Sequence, residues 1–376
     1  MKKKILFVAT VDGHIKSFHI PYLKWFKDNG YETHVASNGN LCLDFVDKKW
    51  QIDFERSPFK RKNFLAFRQI KKIITENDFS LVTCHTPMAS VITRLASVKA
   101  RKKGMKLLYT AHGFHFFKGA SVFKWALYFP IEIFLTQLTD AVITINEEDF
   151  RRIKKYGNQS CEYFKIPGIG VNSRKFYTLP KKVRNGKRKD LGFGENTLVF
   201  IYAAELSKRK NHEFIIRAIS KNKETFENTI VLFAGRGEYE HYLKRMVKEF
   251  SLEKVVHFLG FRTDIEVLFQ VADIGLSSSK QEGLPINTLE EMFTGLPILV
   301  SDERGHRELV NNGINGFLFS LKSDRDFVEK ASILINDSSL RESMGKEASI
   351  IANNFELNIC LKQMADIFNK FLGDTN

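Results

Sequence analysis

The sequence predicts an α/β fold with two doubly wound parallel-sheet domains, and three observations lead to this prediction. The chain has 376 residues, and two domains are expected at about 100–200 residues per domain. Short apolar runs alternate with amphipathic segments, which is typical of parallel sheets covered by helices on both faces. The alternation fails between residues 172 and 196, and we therefore place the domain junction there.

Composition supports this prediction and excludes several other classes. Apolar residues make up 43% of the chain and there are only 8 prolines, which excludes a disordered or collagen-like protein. The four cysteines are far apart and form no C-x-x-C motif, so a reduced, cytoplasmic setting is expected. The basic start has too short an apolar run for a signal peptide, and the apolar stretch at 125–139 is interrupted by Pro130 and Glu132.

The first domain is predicted at residues 1–175. A continuous apolar run at residues 5–10 predicts the first strand. Apolar side chains three to four residues apart, from Phe18 to Phe26, then predict a helix that stops at Gly30. The remaining predicted elements are strands at 32–37, 81–84, 106–111 and 141–145 and a helix at 68–75.

A polar, basic linker is predicted at 176–195, and the second domain at 196–352. Its predicted strands lie at 198–203, 229–233, 255–258, 274–277 and 298–301, and its helices at 213–220, 239–250 and 285–294. Segment 353–376, with a helix near 357–372, is expected to cross back to the first domain. Asp324-Arg-Asp326 has the form of a D-x-D metal motif, but Ser323 before it favours a helix cap.

The most informative motif is Glu282-Gly-Leu-Pro285 with Glu290 downstream. Pro285 suits a first helical turn, and the amides of Gly283 and Leu284 at that helix start would favour a phosphate. Glu282 could accept hydrogen bonds from sugar hydroxyls, while a carboxylate at Glu290 suits the two hydroxyls of a ribose. The alternative is a loop acid followed by an ordinary exposed helix glutamate.

Several residues at predicted strand ends are further candidates. Gly235-Arg-Gly237 would let the backbone approach a nucleotide, or it is merely a tight turn. Gly13 follows the first strand, and His112 ends the strand at 106–111, at the sheet edge where open α/β folds bind ligands. A lone histidine is more often structural. The weaker candidates are His14, His19 and His115.

These residues resemble a known family. The chain is similar to retaining GT-B glycosyltransferases of family four over nearly its whole length. The matching motifs include Val271-Ala-Asp-Ile-Gly-Leu-Ser277, Glu282-Gly-Leu-Pro285, Gly295-Leu-Pro297 and Asn315-Gly-Phe-Leu318. Thr10-Val-Asp-Gly-His14 and Thr110-Ala-His-Gly-Phe-His115 look closest to enzymes of exopolysaccharide and capsule assembly.

The resemblance implies two Rossmann-like domains facing a cleft and a retaining, metal-independent sugar transfer with no cofactor. The donor would be a nucleotide sugar, and UDP is favoured over GDP or ADP by analogy. Glu282 would contact the transferred sugar and Glu290 the ribose. Arg209 and Lys210 would neutralise the departing diphosphate, although a solvated basic turn is the alternative.

The resemblance also assigns three further residues. Phe261 and Arg262 fall where the family packs and hydrogen-bonds the base, with core packing as the alternative for the phenylalanine. His112 would position the donor sugar or polarise the reacting centre. His14, His19 and His115 remain candidates for binding the acceptor.

The basic charge is concentrated in the first half, where residues 1–170 hold 28 Lys and Arg against 15 Asp and Glu. Segments 56–72 and 114–129 mix cations with aromatic residues, which favours an anionic membrane surface. We therefore expect peripheral attachment to the inner face of the cytoplasmic membrane and a polyprenyl-diphosphate-linked saccharide as acceptor. The alternative is a helix with a core face and a solvated charged face.

Two other functions remain open at this point. The basic balance could mark a non-catalytic nucleic-acid binder, but the charges are not organised into a recognition module, and Glu282 and Glu290 would have no role against phosphodiesters. No nucleic-acid partner is therefore expected. A UDP-sugar epimerase of the related two-domain fold needs no acceptor, so an assay for free UDP would distinguish it.

Overall fold

Two parallel sheets organise the described part of the chain, which in this computed structural model comprises residues 2–55, 57, 60–194 and 197–373. Three residues of the predicted basic segment, Arg56, Pro58 and Phe59, lie outside the described residues. The chain divides into two compact units. The first contains the described residues up to Ile169 and those from Asn358 onward, and the second runs from Gly170 to Leu357.

The first unit has a seven-stranded sheet. Its strands are β1 (Lys4–Val11), β2 (Glu32–Asn38), β3 (Lys48–Gln51), β4 (Phe79–His85), β5 (Lys106–Ala111), β6 (Ala141–Thr144) and β7 (Glu162–Lys165). All neighbours are parallel in the order β3-β2-β1-β4-β5-β6-β7. Residues 5–10 of the central strand β1 are buried on both faces, as a continuous apolar run requires in a covered sheet.

In the described part of the first unit, seven α-helices alternate with these strands before the chain enters the second unit. They are α1 (Asp12–Phe18), α2 (Ile20–Asp28), α3 (Lys62–Glu76), α4 (Pro87–Ala96), α5 (Val98–Arg101), α6 (Val122–Thr136) and α7 (Glu147–Tyr156). The helix predicted from Phe18 to Phe26 corresponds to α2, which begins at Ile20, and the segment predicted as a loop before it forms α1. The two helices are separated at His19, and Pro21 in the first turn of α2 favours a new helix start.

The second unit has a six-stranded sheet. Its strands are β8 (Leu198–Ala203), β9 (Thr229–Ala234), β10 (Val256–Gly260), β11 (Ile274–Ser277), β12 (Ile298–Ser301) and β13 (Gly316–Phe319). They are parallel in the order β10-β9-β8-β11-β12-β13. The two topologies confirm the predicted α/β class, and each sheet has a switch point, at β1 and β8, where ligands bind in open α/β folds.

The helices of the second unit cover both faces of its sheet. They are α8 (Lys181–Asp190), α9 (His212–Lys221), α10 (Glu240–Glu249), α11 (Ile265–Val271), α12 (Ile286–Phe293), α13 (Arg304–Arg307), α14 (Asp324–Asn336) and α15 (Ser338–Ala352). At α14 the Ser323 side chain accepts a hydrogen bond from the Asp326 amide, which confirms the predicted cap. The Asp326 carboxylate accepts from the Ser320 amide and pairs with Lys330.

The structure differs from the sequence analysis in the segment predicted as a linker. Residues 181–190 form α8, which belongs to the second unit. Arg184 and Arg188 both reach the Asp273 carboxylate, at 2.5 and 3.0 Å, and both also donate to the Val271 carbonyl. The helix is therefore held by ion pairs and hydrogen bonds rather than by an apolar stripe, so periodicity could not predict it.

The last helix, α16 (Leu357–Leu372), returns the chain to the first unit. Phe368 on this helix packs against α2, with ring centroids 4.7 Å from Phe26 and 6.0 Å from Trp25. The first unit's core is thus completed by residues from the far end of the chain.

Candidate functional site

Glu282 lies at the carboxyl edge of the second sheet, in the loop between β11 and α12. Because β8 and β11 are adjacent and parallel, the loops that follow them meet at this edge. Hydrogen bonds join the two loops: the Lys280 amide donates to the Arg209 carbonyl at 2.9 Å, and the Ser278 hydroxyl to the Asn211 carbonyl at 2.9 Å. The sequence-predicted residues on both loops are thereby brought together.

Lys210 and Arg209 surround the Glu282 carboxylate. The Lys210 Nζ lies 2.6 Å and an Arg209 Nη 3.3 Å from the same oxygen, Oε1. Burial acts to raise the pKa of Glu282, but the two cations outweigh it and the pKa is lowered, so the carboxylate is ionised at neutral pH. Lys210 is nearly buried, which contradicts the alternative of a solvated basic turn for this residue.

Residues that the sequence analysis did not select hold Glu282 from the other side. The Arg304 Nε donates to the Glu282 carbonyl at 3.1 Å. A Cβ at Gly305 would lie only 2.7 Å from the Cβ of Glu282, so the close packing requires glycine there. Gly305 opens the segment Gly305-His-Arg-Glu-Leu-Val310, but nothing in one sequence shows that this glycine packs on the Glu282 loop.

Helix α12, which follows the Glu282 loop, begins one residue later than predicted. Pro285 is its N-cap and Ile286 its first residue. Leu284 is buried and Gly283 half-buried. Glu290 lies in the second half of α12, where burial raises its pKa to about 7; Lys175 acts to lower this pKa and Glu266 to raise it. Glu290 is therefore only partly ionised at neutral pH.

Glu291, the next residue on α12, was not selected from the sequence. It is fully buried, and neither carboxyl oxygen has a hydrogen-bond partner among the described residues. A Cβ on Gly275 would lie 2.6 Å from Oε2 of Glu291, so Gly275 on β11 makes room for the carboxyl group. Burial raises the pKa of Glu291 well above its ordinary value, which favours the protonated, neutral form of the carboxyl group.

The structure gives the Gly235-Arg-Gly237 motif a packing role. A Cβ at Gly235 would lie 2.0 Å from the Ala204 carbonyl oxygen, and one at Gly237 would lie 2.2 Å from the Leu206 carbonyl oxygen. The loop after β9 therefore presses directly on the loop after β8. These contacts require glycine at both positions whether or not a nucleotide binds.

Phe261 and Arg262 follow β10. Phe261 is 69% exposed, so core packing, the alternative reading of this residue, is wrong. Arg262 forms a two-pronged ion pair with Asp264, at 2.8 and 2.6 Å. The pair fixes the orientation of the guanidinium.

In the first unit, four histidines gather where β4, β5 and the α1–α2 corner meet: His14, His19, His85 and His112. The Nε2 atoms of His14 and His112 are 3.3 Å apart. Burial lowers the pKa of His112 to about 4 and that of His19 well below its ordinary value, so both rings are neutral. The sequence analysis missed His85, although this residue ends β4 just as His112 follows β5.

Gly13, predicted in a loop, lies in the first turn of α1 and is exposed. A Cβ placed there would meet no atom of the described residues within 4 Å, so none of their contacts requires glycine at this position. The buried Asp12 beside it is held by the Ser37 hydroxyl at 2.6 Å and the Lys49 ammonium at 2.7 Å. These bonds fix the start of α1, and the sequence analysis did not select Asp12.

A largely apolar cavity of about 550 Å³ adjoins the histidines within the first unit. His14 and His115 line it, and the His115 ring stacks on Tyr128 of α6 at 4.7 Å. Leu127 and Ile131, also on α6, complete this wall. His115 therefore belongs to a cavity that has room for a ligand.

Helix α6 is apolar on more than one face. Trp125 and Phe129 pack on the core, whereas Val122 is 84% and Phe123 72% exposed. On α3, Phe64 and Leu65 are also exposed, next to the cation Lys62. Within the described residues, no helix combines the length and the apolar character needed to cross a bilayer.

Comparison with known proteins identifies the family. Residues 4–146 match the family Glycosyl transferase 4-like and residues 183–350 the family Glycosyl transferases group 1. The chain is 41% identical over 372 residues to EpsD of Bacillus subtilis (strain 168), a protein named as a glycosyltransferase, and the match covers 99% of this chain and 98% of EpsD. It is 30% identical over 391 residues to the N,N'-diacetylbacillosaminyl-diphospho-undecaprenol alpha-1,3-N-acetylgalactosaminyltransferase of Campylobacter jejuni, with 98% and 99% coverage.

The fold is shared with HepE of Anabaena, solved in complex with UDP and glucose. The TM-score is 0.79 at 22% identity, and the match covers 98% of this chain and 100% of HepE. This likeness confirms the predicted GT-B architecture. The chain belongs to the group 1 glycosyltransferases of the GT-B fold, and it is related to transferases that act on lipid-linked saccharides in polysaccharide synthesis.

Proposed function

We propose that this protein is a retaining glycosyltransferase that moves a hexose or N-acetylhexosamine from a UDP-sugar to a polyprenyl-diphosphate-linked saccharide. The observation that carries the proposal is the contact of Lys210 and Arg209 with the buried carboxylate of Glu282. Two relatives support the substrates: HepE is solved with UDP and glucose, and the Campylobacter enzyme is named for an undecaprenol-linked substrate.

In the proposed reaction, the bond from the sugar C1 to the diphosphate breaks and a bond to the acceptor hydroxyl forms on the same face. The leaving phosphate takes the acceptor proton. Arg209 and Lys210 supply the positive charge that stabilises the departing diphosphate, so this step needs no metal ion. Glu282 contacts the sugar, Glu290 the ribose and His112 the reacting centre, while Gly13 lets the diphosphate or the acceptor approach.

The remaining donor contacts are assigned to the backbone and to an exposed ring. The amides of Gly283 and Leu284 face the phosphates at the start of α12, where the helix dipole favours an anion. Phe261, which is exposed, stacks on the base beside Arg262. The acceptor is assigned to the first unit, at the cavity lined by His14 and His115.

The proposal is tested by incubating the protein with UDP-sugars, with and without a polyprenyl-diphosphate-linked saccharide. UDP release that depends on the acceptor, with the donor's anomeric configuration kept in the product, is the expected result. Lys210→Ala should lower kcat by about 10²–10³, whereas Lys248→Ala, an exposed lysine on α10, should not. UDP release without any acceptor would favour the epimerase instead, and an inverted product would exclude retention.

We further propose that the protein works on the inner face of the cytoplasmic membrane, with α6 and α3 touching the lipid. Support comes from the exposed Val122 and Phe123 and from the basic charge of the first 170 residues. Flotation with anionic vesicles should be lost in Val122→Asp/Phe123→Asp and kept in Ile350→Asp, an exposed control on α15. Equal binding to neutral and anionic vesicles would contradict the electrostatic part of the proposal.

A further inference from the structure

The four histidines of the first unit come from separate stretches of chain. His14 is on α1, His19 lies between α1 and α2, His85 is the last residue of β4, and His112 directly follows β5. Because β4 and β5 are adjacent parallel strands, their carboxyl ends bring His85 and His112 to one edge, and the α1–α2 corner places the other two rings above it.

The spacing of the four rings fits a single ion. One nitrogen from each ring can be chosen so that all four lie within 4.8 Å of one another. A tetrahedral zinc ion with Zn–N bonds of about 2.0–2.1 Å requires nitrogens about 3.3–3.4 Å apart. The Nε2 atoms of His14 and His112 are already 3.3 Å apart. The remaining rings would need to move by an ångström or so.

The buried rings have nitrogens that nothing in the described part of the chain satisfies. Both nitrogens of His19 and the Nδ1 of His85 lack hydrogen-bond partners, and the two residues are only 1% and 2% exposed. Leaving such groups unpaired costs free energy, and a metal ion would satisfy them. The Nε2 of His85 lies 3.2 Å from the Thr83 hydroxyl, the kind of outer contact that orients a ligating imidazole.

We propose that His14, His19, His85 and His112 bind one divalent transition-metal ion, with Zn²⁺ as the preferred occupant. Four imidazole nitrogens suit zinc and its neighbours, whereas magnesium and calcium prefer oxygen ligands. The ion ties the α1–α2 corner to the ends of β4 and β5. His14 and His112 are only half-buried, which gives the ion a path of entry. The inference does not depend on the proposed transfer reaction, and with the ion bound His112 would hold the ion rather than contact the reacting centre.

The first test uses the tag-free, full-length chain, stripped with a chelator and titrated with Zn²⁺ or Co²⁺ alone. One equivalent should bind, Co²⁺ should show the intense visible absorption of a tetrahedral site, and a hundredfold excess of Zn²⁺ over Kd should raise the thermal midpoint by about 5 °C. No binding of either ion, or a Co²⁺ spectrum of octahedral character, would overturn the proposal.

Variants then locate the ion. His85→Gln and, as a milder change at a half-buried position, His14→Gln should each remove the tetrahedral Co²⁺ spectrum and weaken Zn²⁺ binding at least tenfold. The control is His34→Gln, a buried histidine of the same unit that bonds Glu32 and Trp50 instead. Circular dichroism establishes that each variant is folded. Unchanged binding in a folded His14→Gln protein would refute this assignment of the ligands.

Discussion

Glu290 is a carboxyl group that changes its ionisation near neutral pH. Burial raises its pKa to about 7 from an ordinary value of 4.5, so it is largely protonated at pH 6 and largely ionised at pH 8. If the ionised form binds the ribose, affinity for a UDP-sugar should rise as pH increases through about 7, by at most about tenfold per pH unit. Isothermal titration calorimetry at pH 6, 7 and 8 measures this change.

The matched variant is Glu290→Gln, in which the dependence on pH should disappear. A UDP-sugar is a better probe than UDP, because a free terminal phosphate itself titrates near pH 6.

The effect of Glu290 on folding stability has the opposite dependence on pH. When folding raises the pKa of an acid, the folded protein loses stability as pH rises from 4.5 to about 7. The free energy of unfolding of the wild type should therefore fall relative to that of Glu290→Gln over this range. Equal pH profiles for both proteins would contradict the assignment.

A substitution at Gly13 can show whether glycine is needed there for function rather than for folding. A Cβ there would meet no atom of the structurally described residues within 4 Å, and the residue is helical, so Gly13→Ala should keep or slightly raise the free energy of unfolding, by up to about 1 kcal/mol. If substrate approaches this backbone, kcat/KM should nevertheless fall at least tenfold. Urea unfolding and steady-state kinetics on the same sample test both parts.

The control for Gly13 is Gly186→Ala on α8, an exposed helical glycine that also has an open Cβ position. It should gain stability similarly without losing activity. Full activity in Gly13→Ala would show that no substrate comes close to this turn.

Buried ion pairs join neighbouring helices, and the pair that Arg94 on α4 forms is the clearest example. Its guanidinium, fully buried, donates to Glu132 of α6 at 2.9 Å and lies over the Tyr109 ring of β5 at 4.1 Å. Arg94→Met leaves Glu132 buried without its partner, so unfolding should become easier by about 3–5 kcal/mol. Urea unfolding followed by tryptophan fluorescence measures the loss.

The double variant Arg94→Met/Glu132→Met should recover most of that stability, because two apolar groups replace a buried pair without leaving a lone charge. A double variant no more stable than Arg94→Met would show that the cost comes from packing and not from the unpaired carboxylate.

The same elements show what one sequence can and cannot predict. The apolar strands β1, β8, β11 and β12 were located to within a residue, because a strand buried on both faces is a continuous apolar run. Helix α8 was missed because its stability comes from Arg184 and Arg188 on Asp273, a contact 85 to 89 residues away in the chain. Local patterns carry no signal for such a bond.

The residues of the candidate site also include some that the sequence predicts and some that it does not. Glu282, Lys210 and Arg209 were predicted through motifs, and the parallel neighbours β8 and β11 bring them together. His85 and Arg304 were not predicted, because their importance lies in partners from other loops. No metal site was expected, because the family resemblance implied a metal-independent transfer. The four histidines span nearly 100 residues with no ligand spacing that a motif would match.

At the scale of the whole molecule, the chain begins in the first unit, forms the second and returns to the first through α16. All three tryptophans of the chain, Trp25, Trp50 and Trp125, lie in the first unit. Tryptophan fluorescence therefore reports the unfolding of that unit, whereas far-ultraviolet circular dichroism reports both. The two probes can show which unit a substitution destabilises.

Phe368→Ala removes a buried ring of α16 that packs against Phe26 at 4.7 Å. We expect a loss of about 3–5 kcal/mol, seen as a shift of the fluorescence-detected urea transition to lower concentration. Phe327→Ala, an equally buried ring of α14 that packs on Phe319 at 5.0 Å, should shift the dichroism transition and leave the fluorescence transition in place. If both variants shift both probes equally, the two units unfold as one, and α16 does not stabilise the first unit separately.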